Sequence, residues 1–337
     1  MMKKTAIALS VAALACGAQA AEVFKNADTA VEINLDLNFY NLNIVDTASA
    51  MARNYFQGSG TQLVFKTSKV LDADLTVFGS FEIAADPVLD QPTALLDDMK
   101  FGIRSKSMGT IQMGQFDTFL EDTVFEIANS FINSNNSVNP TTEPSMGSTD
   151  GRHLLYTHKI GDLTFGVDFT TSQNAAIATD TQNGVAYTVS YTLGDLKLVA
   201  GTATIARYTP VYTTNANKAA QGFGASYALT TGAGLTKFAL MSGNTYSYST
   251  SSTYDGLEND FNAISVNHTL GQWNVGVISN TIDMAVTSSA AAYTANEVAF
   301  AVAYDLGKGA KLYATSANKG ISTSLNNYTE VGFVMSF

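Results

Sequence analysis

The sequence predicts an all-β fold, a sixteen-stranded antiparallel transmembrane β-barrel with short periplasmic turns and long external loops. Three observations carry the prediction. The composition favours strands over helices, apolar and polar residues alternate with period two along successive segments, and short turns take turns with long polar connections.

Of the 337 residues, 46% are hydrophobic and 14% charged, with 26 Gly, 5 Pro and one Cys, which excludes both a disordered tail and a disulfide-stapled mini-protein. The 18 basic and 29 acidic residues give a net charge of −11, so no nucleic acid partner is expected on a basic face. A helical membrane protein is excluded as well: beyond residue 20 the longest apolar run, 298–304, has seven residues. A spanning helix needs roughly 18 to 20. Thr, Ser, Asn and Gly are abundant beside 15 Tyr and 19 Phe, a composition of strands and turns.

Residues 1–20 read as a signal peptide, with Lys3 and Lys4 as the positive start, 5–15 as the apolar stretch and Ala18-Gln19-Ala20 as the cleavage site. The apolar part is too short for an anchor helix. Leu14-Ala15-Cys16-Gly17 loosely resembles a lipoprotein box and keeps lipid attachment open as an alternative. Cleavage after Ala20 leaves 21–337 as one barrel domain with no cysteine and 16 basic against 29 acidic residues, a net charge of −13. An exported chain without disulfides needs another source of stability, and a large hydrogen-bonded sheet supplies it.

The first strand pattern places Val31, Ile33, Leu35, Leu37 and Phe39 on one face and Glu32, Asn34, Asp36, Asn38 and Tyr40 on the other. Leu75, Val77, Phe81 and Ile83 repeat it, followed by Met99, Phe101 and Ile103 against Lys100, Gly102 and Arg104. Further along come Leu163, Phe165, Val167 and Phe169, then Val185, Tyr187, Val189 and Tyr191, then Phe300, Val302, Tyr304 and Leu306. The last strand reads Val331, Phe333, Met335, Phe337.

Seven short turns carry Gly or Asp, among them Leu71-Asp72-Ala73, Gly161-Asp162 and Gly307-Lys308-Gly309. Eight longer stretches rich in Asn, Ser and Thr are expected as loops: 43–56, 86–97, 117–150, 171–183, 204–219, 244–260, 280–294 and 317–327. A soluble β-sandwich has no reason to put its short turns all at one end, whereas a membrane barrel does. Amides in hydrocarbon must all be paired, so such a sheet closes on itself, with an even strand number suiting antiparallel closure. The face opposite the apolar one carries Glu32, Asp36, Lys66, Glu82, Lys100, Arg104 and Asp168, which suits water, although Val64 and Phe78 also fall on it. Sixteen strands make a barrel too wide for side chains to fill and leave an aqueous channel.

Three segments carry a family resemblance: Ala21-Glu22-Val23-Phe24-Lys25-Asn26, the stretch from Phe101-Gly102-Ile103 through Met108-Gly109-Thr110-Ile111-Gln112-Met113-Gly114-Gln115, and the terminal Val331-Gly332-Phe333-Val334-Met335-Ser336-Phe337. With the order of turns and loops, the chain resembles a Gram-negative general diffusion porin of the outer membrane. The resemblance implies passive diffusion of small hydrophilic solutes and ions, a homotrimer, and an inward-folded third loop that narrows the pore. It also implies contact with lipopolysaccharide and outer-membrane lipid. An assembly signal in Phe333 and Phe337 would be read by the barrel-assembly machinery. The third loop here is 117–150, the longest of the eight; Phe119, Leu120, Val124 and Ile127 give its start a helix-like apolar stripe. The strand before it ends Gly114-Gln115 where the family commonly has Gly-Arg, so the arginine cluster opposite the loop thins to Arg53, Lys66, Lys100 and Arg104.

The candidate site follows. Asp117, Glu121, Asp122 and Glu126 on the third loop are expected to face Lys66, Lys100 and Arg104 across the constriction, setting up a transverse field. Solvated loop acids and cations near turns are the plainer reading of the same residues. With −13 on the mature chain, mild cation preference is expected. No catalytic residue, cofactor or metal is expected. His153 and His158, five apart, fall on opposite faces of a strand, and Ser265 and His268 fail in the same way as a local nucleophile and base. Three other readings stay open: a substrate-selective oligosaccharide pore, an outer-membrane hydrolase on a barrel scaffold, and an exported β-sandwich that binds a partner.

Overall fold

The computed structural model describes residues 21–46, 51–57, 61–86, 93–128, 152–173, 181–208, 217–247, 257–284, 293–321 and 324–336. The expected signal peptide, residues 1–20, and Phe337 lie outside the described residues.

The chain opens with β1 (Ala21–Lys25), β2 (Thr29–Asp46), β3 (Met51–Gln57), β4 (Thr61–Val70), β5 (Leu75–Asp86), β6 (Thr93–Ser105) and β7 (Gly109–Gln115). After a π-helical turn, Glu121–Phe125, come β8 (Arg152–Ile160), β9 (Leu163–Gln173), β10 (Thr181–Leu193), β11 (Leu196–Tyr208), β12 (Asn217–Thr231) and β13 (Gly234–Ser247). The series ends with β14 (Leu257–Leu270), β15 (Trp273–Met284), β16 (Tyr293–Gly307), β17 (Ala310–Ile321) and β18 (Ser324–Ser336).

These eighteen segments form one antiparallel sheet of sixteen spanning ribbons. β3 and β4 together make one ribbon, because both pair with β2, at 40–46 and 29–36 respectively. On the other edge of β2, β18 pairs with 36–46 and β1 with 30–33, so β1 lies in line with the end of β18. Pairing of β18 with β2 closes the ring, so among the described residues the sheet has no open edge toward hydrocarbon.

The outer face is apolar. Phe101, Ile111, Phe169, Tyr187, Phe223, Ile264, Phe300 and Val331 are all more than half exposed, an arrangement that water would penalise and lipid favours. Their neighbours in sequence point inward, as the period-two pattern requires. Near the short turns, Trp273 and Tyr304 pack with ring centroids 4.8 Å apart, and the Tyr304 hydroxyl donates to Gln272 Oε1. That position suits an interfacial aromatic belt.

Several strands run further than the alternation predicts. β2 reaches Asp46 and β3 starts at Met51 inside the expected loop 43–56, while β13 runs to Ser247 and β14 starts at Leu257 inside 244–260. Crossing hydrocarbon takes about 9 to 11 tilted residues, so ribbons of 12 to 15 project into water. At the end of β13, Asn244-Thr245-Tyr246-Ser247, little apolar character is left to mark a face, and in β2 the apolar positions change from odd, up to Phe39, to even at Leu42 and Ile44, so the period-two pattern is interrupted.

Candidate functional site: the inward segment and the charged wall

Residues 116–128, the start of the third long connection, lie against the inner wall of β9–β14. Phe116, Leu120, Val124, Phe125, Ile127 and Ala128 are at most 5% exposed, and the last five pack with Ala186, Val199, Ala203, Ala220, Ala239 and Met241. The apolar stripe expected from Leu120, Val124 and Ile127 is therefore the face that meets the wall. Local hydrogen bonds set the turn: Thr118 Oγ1 accepts from Glu121 N at 3.1 Å, Asp122 N donates to Thr118 O at 3.1 Å, and Glu126 N donates to Glu121 O at 3.1 Å.

Burying that stripe divides the four expected acids. Asp117, Asp122 and Glu126 are exposed, whereas Glu121 is 7% exposed and sits on the packed side of the turn. At Asp122 the surrounding protein hinders solvation of the charge, and Glu126 and then Asp117 repel it; Lys100 only partly offsets this, and the carboxyl is pushed up to about 7.

Across the sheet, Lys66 on β4, Lys100 and Arg104 on β6 and Glu32 on β2 line a basin of about 300 Å³ with Phe78 and Gln112. Glu32, Lys66, Ser80, Lys100, Gly114 and His153 are successive cross-strand partners along one row. Phe78 falls on the wet face for a reason: the Arg104 guanidinium lies 5.2 Å from its ring centroid, within cation–π range. Lys100 Nζ lies 5.7 Å from the Phe116 ring centroid and 3.5 Å from Asp98 Oδ2. Asp98 is an acid that sequence reasoning missed: it lies in phase with Lys100, two residues on, but the sequence pattern of this strand begins only at Met99, next to the expected loop 86–97, whereas β6 starts at Thr93. The Arg53 side chain lies outside what the structure describes.

His153 and Asp168 form a second feature, missed as a pair because fifteen residues separate them. His153 Nδ1 lies 3.0 Å from Asp168 Oδ1 and 3.0 Å from Thr170 Oγ1, and Phe119 N donates to Asp168 Oδ2 at 3.4 Å. Both polar partners crowd the same ring nitrogen. Nε2 is buried with no hydrogen-bond partner among the described residues, which is not how a hydrolase would present a general base. Ser265 is buried on the inner face, while His268 bonds Thr236 Oγ1 at 2.8 Å on the outer one.

The sequence profile described as Gram-negative porin matches residues 8–323. The chain belongs to the Gram-negative porin family. No curated protein matches this porin significantly. Among solved structures it is similar to OmpF of Salmonella typhi in complex with daunomycin, with TM-score 0.74 and 14% identity over 93% of this chain and 99% of that one. An anion-selective porin from Comamonas acidovorans matches with TM-score 0.69 and 13% identity over 92% of this chain and 100% of that one. In-vitro folded OmpT of Vibrio cholerae in its trimer form matches with TM-score 0.65 and 15% identity over 92% and 100%. At these identities the likeness is one of fold. The family nevertheless makes this porin a channel for diffusion through the outer membrane and not an enzyme.

Proposed function

We propose that this porin is a mildly cation-preferring diffusion channel for small hydrophilic solutes, narrowed by residues 116–128. In this reading Asp117, Asp122 and Glu126 stand on one side of the constriction and Lys66, Lys100 and Arg104 on the other. Glu121, turned toward the packed side, contributes to the fold of the segment. The observation that carries the reading is the sorting of charge: three exposed carboxylates on the inward segment, and three cations gathered round one basin on the β4–β6 wall. The surplus of acids over bases in the whole chain adds a field of the same sign.

Reversal potentials across a planar bilayer with a potassium chloride gradient test it. Cation preference is expected, and it should fall in Asp117→Asn and Asp122→Asn; clear anion preference in the unmodified protein overturns the reading. The likeness to the trimer form of OmpT supports assembly as a homotrimer, to be checked as a heat-dissociable species in detergent. Lipopolysaccharide and outer-membrane lipid are the surroundings proposed for the apolar belt. The barrel-assembly machinery is the proposed reader of the C-terminal signal, Phe333 and Phe337. Of these two, Phe333 pairs with Phe39 and Leu312.

A further inference from the structure

The wall beneath the inward segment has a row with almost no side chains. Gly166 on β9, Thr188 on β10, Gly201 on β11, Gly222 on β12 and Gly243 on β13 are consecutive cross-strand partners. Each of three glycines in this row lies under a different part of the segment. A methyl group on Gly166 would fall 2.3 Å from Phe119 Cδ1, one on Gly201 would fall 2.3 Å from Leu120 Cδ1, and one on Gly222 would fall 3.0 Å from both Phe125 Cε1 and Val124 Cγ1. Gly224, two residues further along β12, does the same for Ile127, with 2.5 Å to Cγ2. Gly243 gives space to Phe261, 2.8 Å from its Cζ, and Phe261 packs edge-on against Phe125 with ring centroids 5.0 Å apart.

None of Gly166, Gly201, Gly222 and Gly224 has a left-handed backbone, so conformational freedom does not explain their presence. What they share is contact. In a strand interior, glycine carries a conformational cost and offers nothing to pack. That cost is offset here by the close approach of the segment's apolar side chains, which enter the recess instead of standing off the wall.

We infer that this glycine recess sets the width of the pore: it holds residues 119–127 back against the wall, and any side chain placed in it moves the segment toward the lumen. The glycines are positioning residues that act through the segment. The inference rests on the proposed constriction by residues 116–128 and adds the wall element that determines its depth.

Gly166 and Gly222 are the best test positions, because at each the three nearest atoms all belong to side chains of the segment and none to the sheet backbone. Single-channel conductance in symmetric potassium chloride should fall in Gly166→Ala and Gly222→Ala, and further in Gly222→Val. Phe119→Ala combined with Gly166→Ala should restore it, an outcome that general loss of stability would not give. Conductance unchanged in all three glycine variants, in protein that still forms a heat-modifiable barrel, overturns the inference. A failure to fold in the valine variant leaves the two alanine variants and the rescue pair to decide.

A separate arm tests the constriction itself. The only cysteine of the sequence is Cys16, so Asp122→Cys supplies the one thiol beyond residue 20. Reaction with a bulky thiosulfonate should block current if the segment lines the narrow path. Unchanged current after complete labelling removes the constriction reading and this inference with it. Block by the label together with unaltered glycine variants removes the inference alone.

Discussion

His153 on β8 and Asp168 on β9 meet inside the wall, with Nδ1 and Oδ1 3.0 Å apart and each side chain 1% exposed. The second oxygen of Asp168 receives the Phe119 amide, so a single carboxylate links two strands and the root of the inward segment. Phe116 covers the imidazole, with ring centroids 5.1 Å apart. Asp168→Ala would leave the Phe119 N–H without its acceptor and the buried imidazole with Thr170 Oγ1 as its remaining partner, at a cost of about 1–3 kcal/mol. A lower urea midpoint in micelles and a noisier open-channel current are expected; a variant with neither would show that the carboxylate does not hold the segment.

Channel selectivity should depend on pH near neutrality. The Asp122 carboxyl, crowded by protein and repelled by Glu126 and Asp117, titrates near 7 and not near 4. Above that value it adds a negative charge to the proposed constriction, and below it the charge is lost. Cation preference, read as reversal potential, should therefore decline as pH falls through about 7, and Asp122→Asn should abolish most of the change. An equal pH response in the variant would assign the titration elsewhere.

At the short-turn end, Asp74 joins two neighbouring turns. Its carboxylate accepts from Ser105 Oγ at 2.6 Å, Ser107 N at 3.0 Å and Ser107 Oγ at 3.2 Å, and these bonds, Ser105 first, hold its pKa below the usual carboxylate value. A depressed pKa in the folded state stabilises above the unfolded value, and that contribution disappears as pH falls through the folded one. Stability of the unmodified protein should thus drop more steeply on acidification below about pH 4 than that of Asp74→Asn. Parallel urea midpoints for the two proteins from neutral to acid pH would contradict this.

Lys308 is the one non-glycine residue with positive φ among the described residues, at 53°, in the two-residue turn Lys308-Gly309 between β16 and β17. Such turns favour Asn followed by Gly, since Asn tolerates the left-handed region better than residues with long side chains. Lys308→Asn should stabilise the barrel by up to about 1 kcal/mol, read as a higher urea midpoint. A lower midpoint would mean that the Lys308 side chain makes a contribution outweighing backbone relief.

Strand phase was readable from residues such as Tyr187, Val189 and Tyr191, because oil and water on opposite faces impose a period of two. In β2 the apolar positions change phase after Phe39, and in β13 the last residues are polar or Tyr, which is why the ends of both strands fall inside stretches expected as loops. The stripe of Leu120, Val124 and Ile127 was legible because its spacing is local, and its burial explains why Glu121 is separated from Asp117, Asp122 and Glu126. By contrast, the glycine row joins positions 166, 201, 222 and 243, whose alignment exists only once the register of five strands is fixed. Asp98 lies at the edge of a stretch expected as loop although β6 already starts at Thr93, and the pairing of His153 with Asp168 depends on which residues of β8 and β9 come level.

The ring is sealed where Tyr313 of β17 donates its hydroxyl to Glu330 of β18, with Asn38 of β2 beside it at 3.2 Å and all three side chains buried. That seam joins residues 275 apart in sequence. A nascent chain therefore has two raw borders until its final ribbon is made, and no shorter product can hide them. A stop codon that removes β18 should leave an insertion-incompetent substrate for proteolysis, not a smaller working pore.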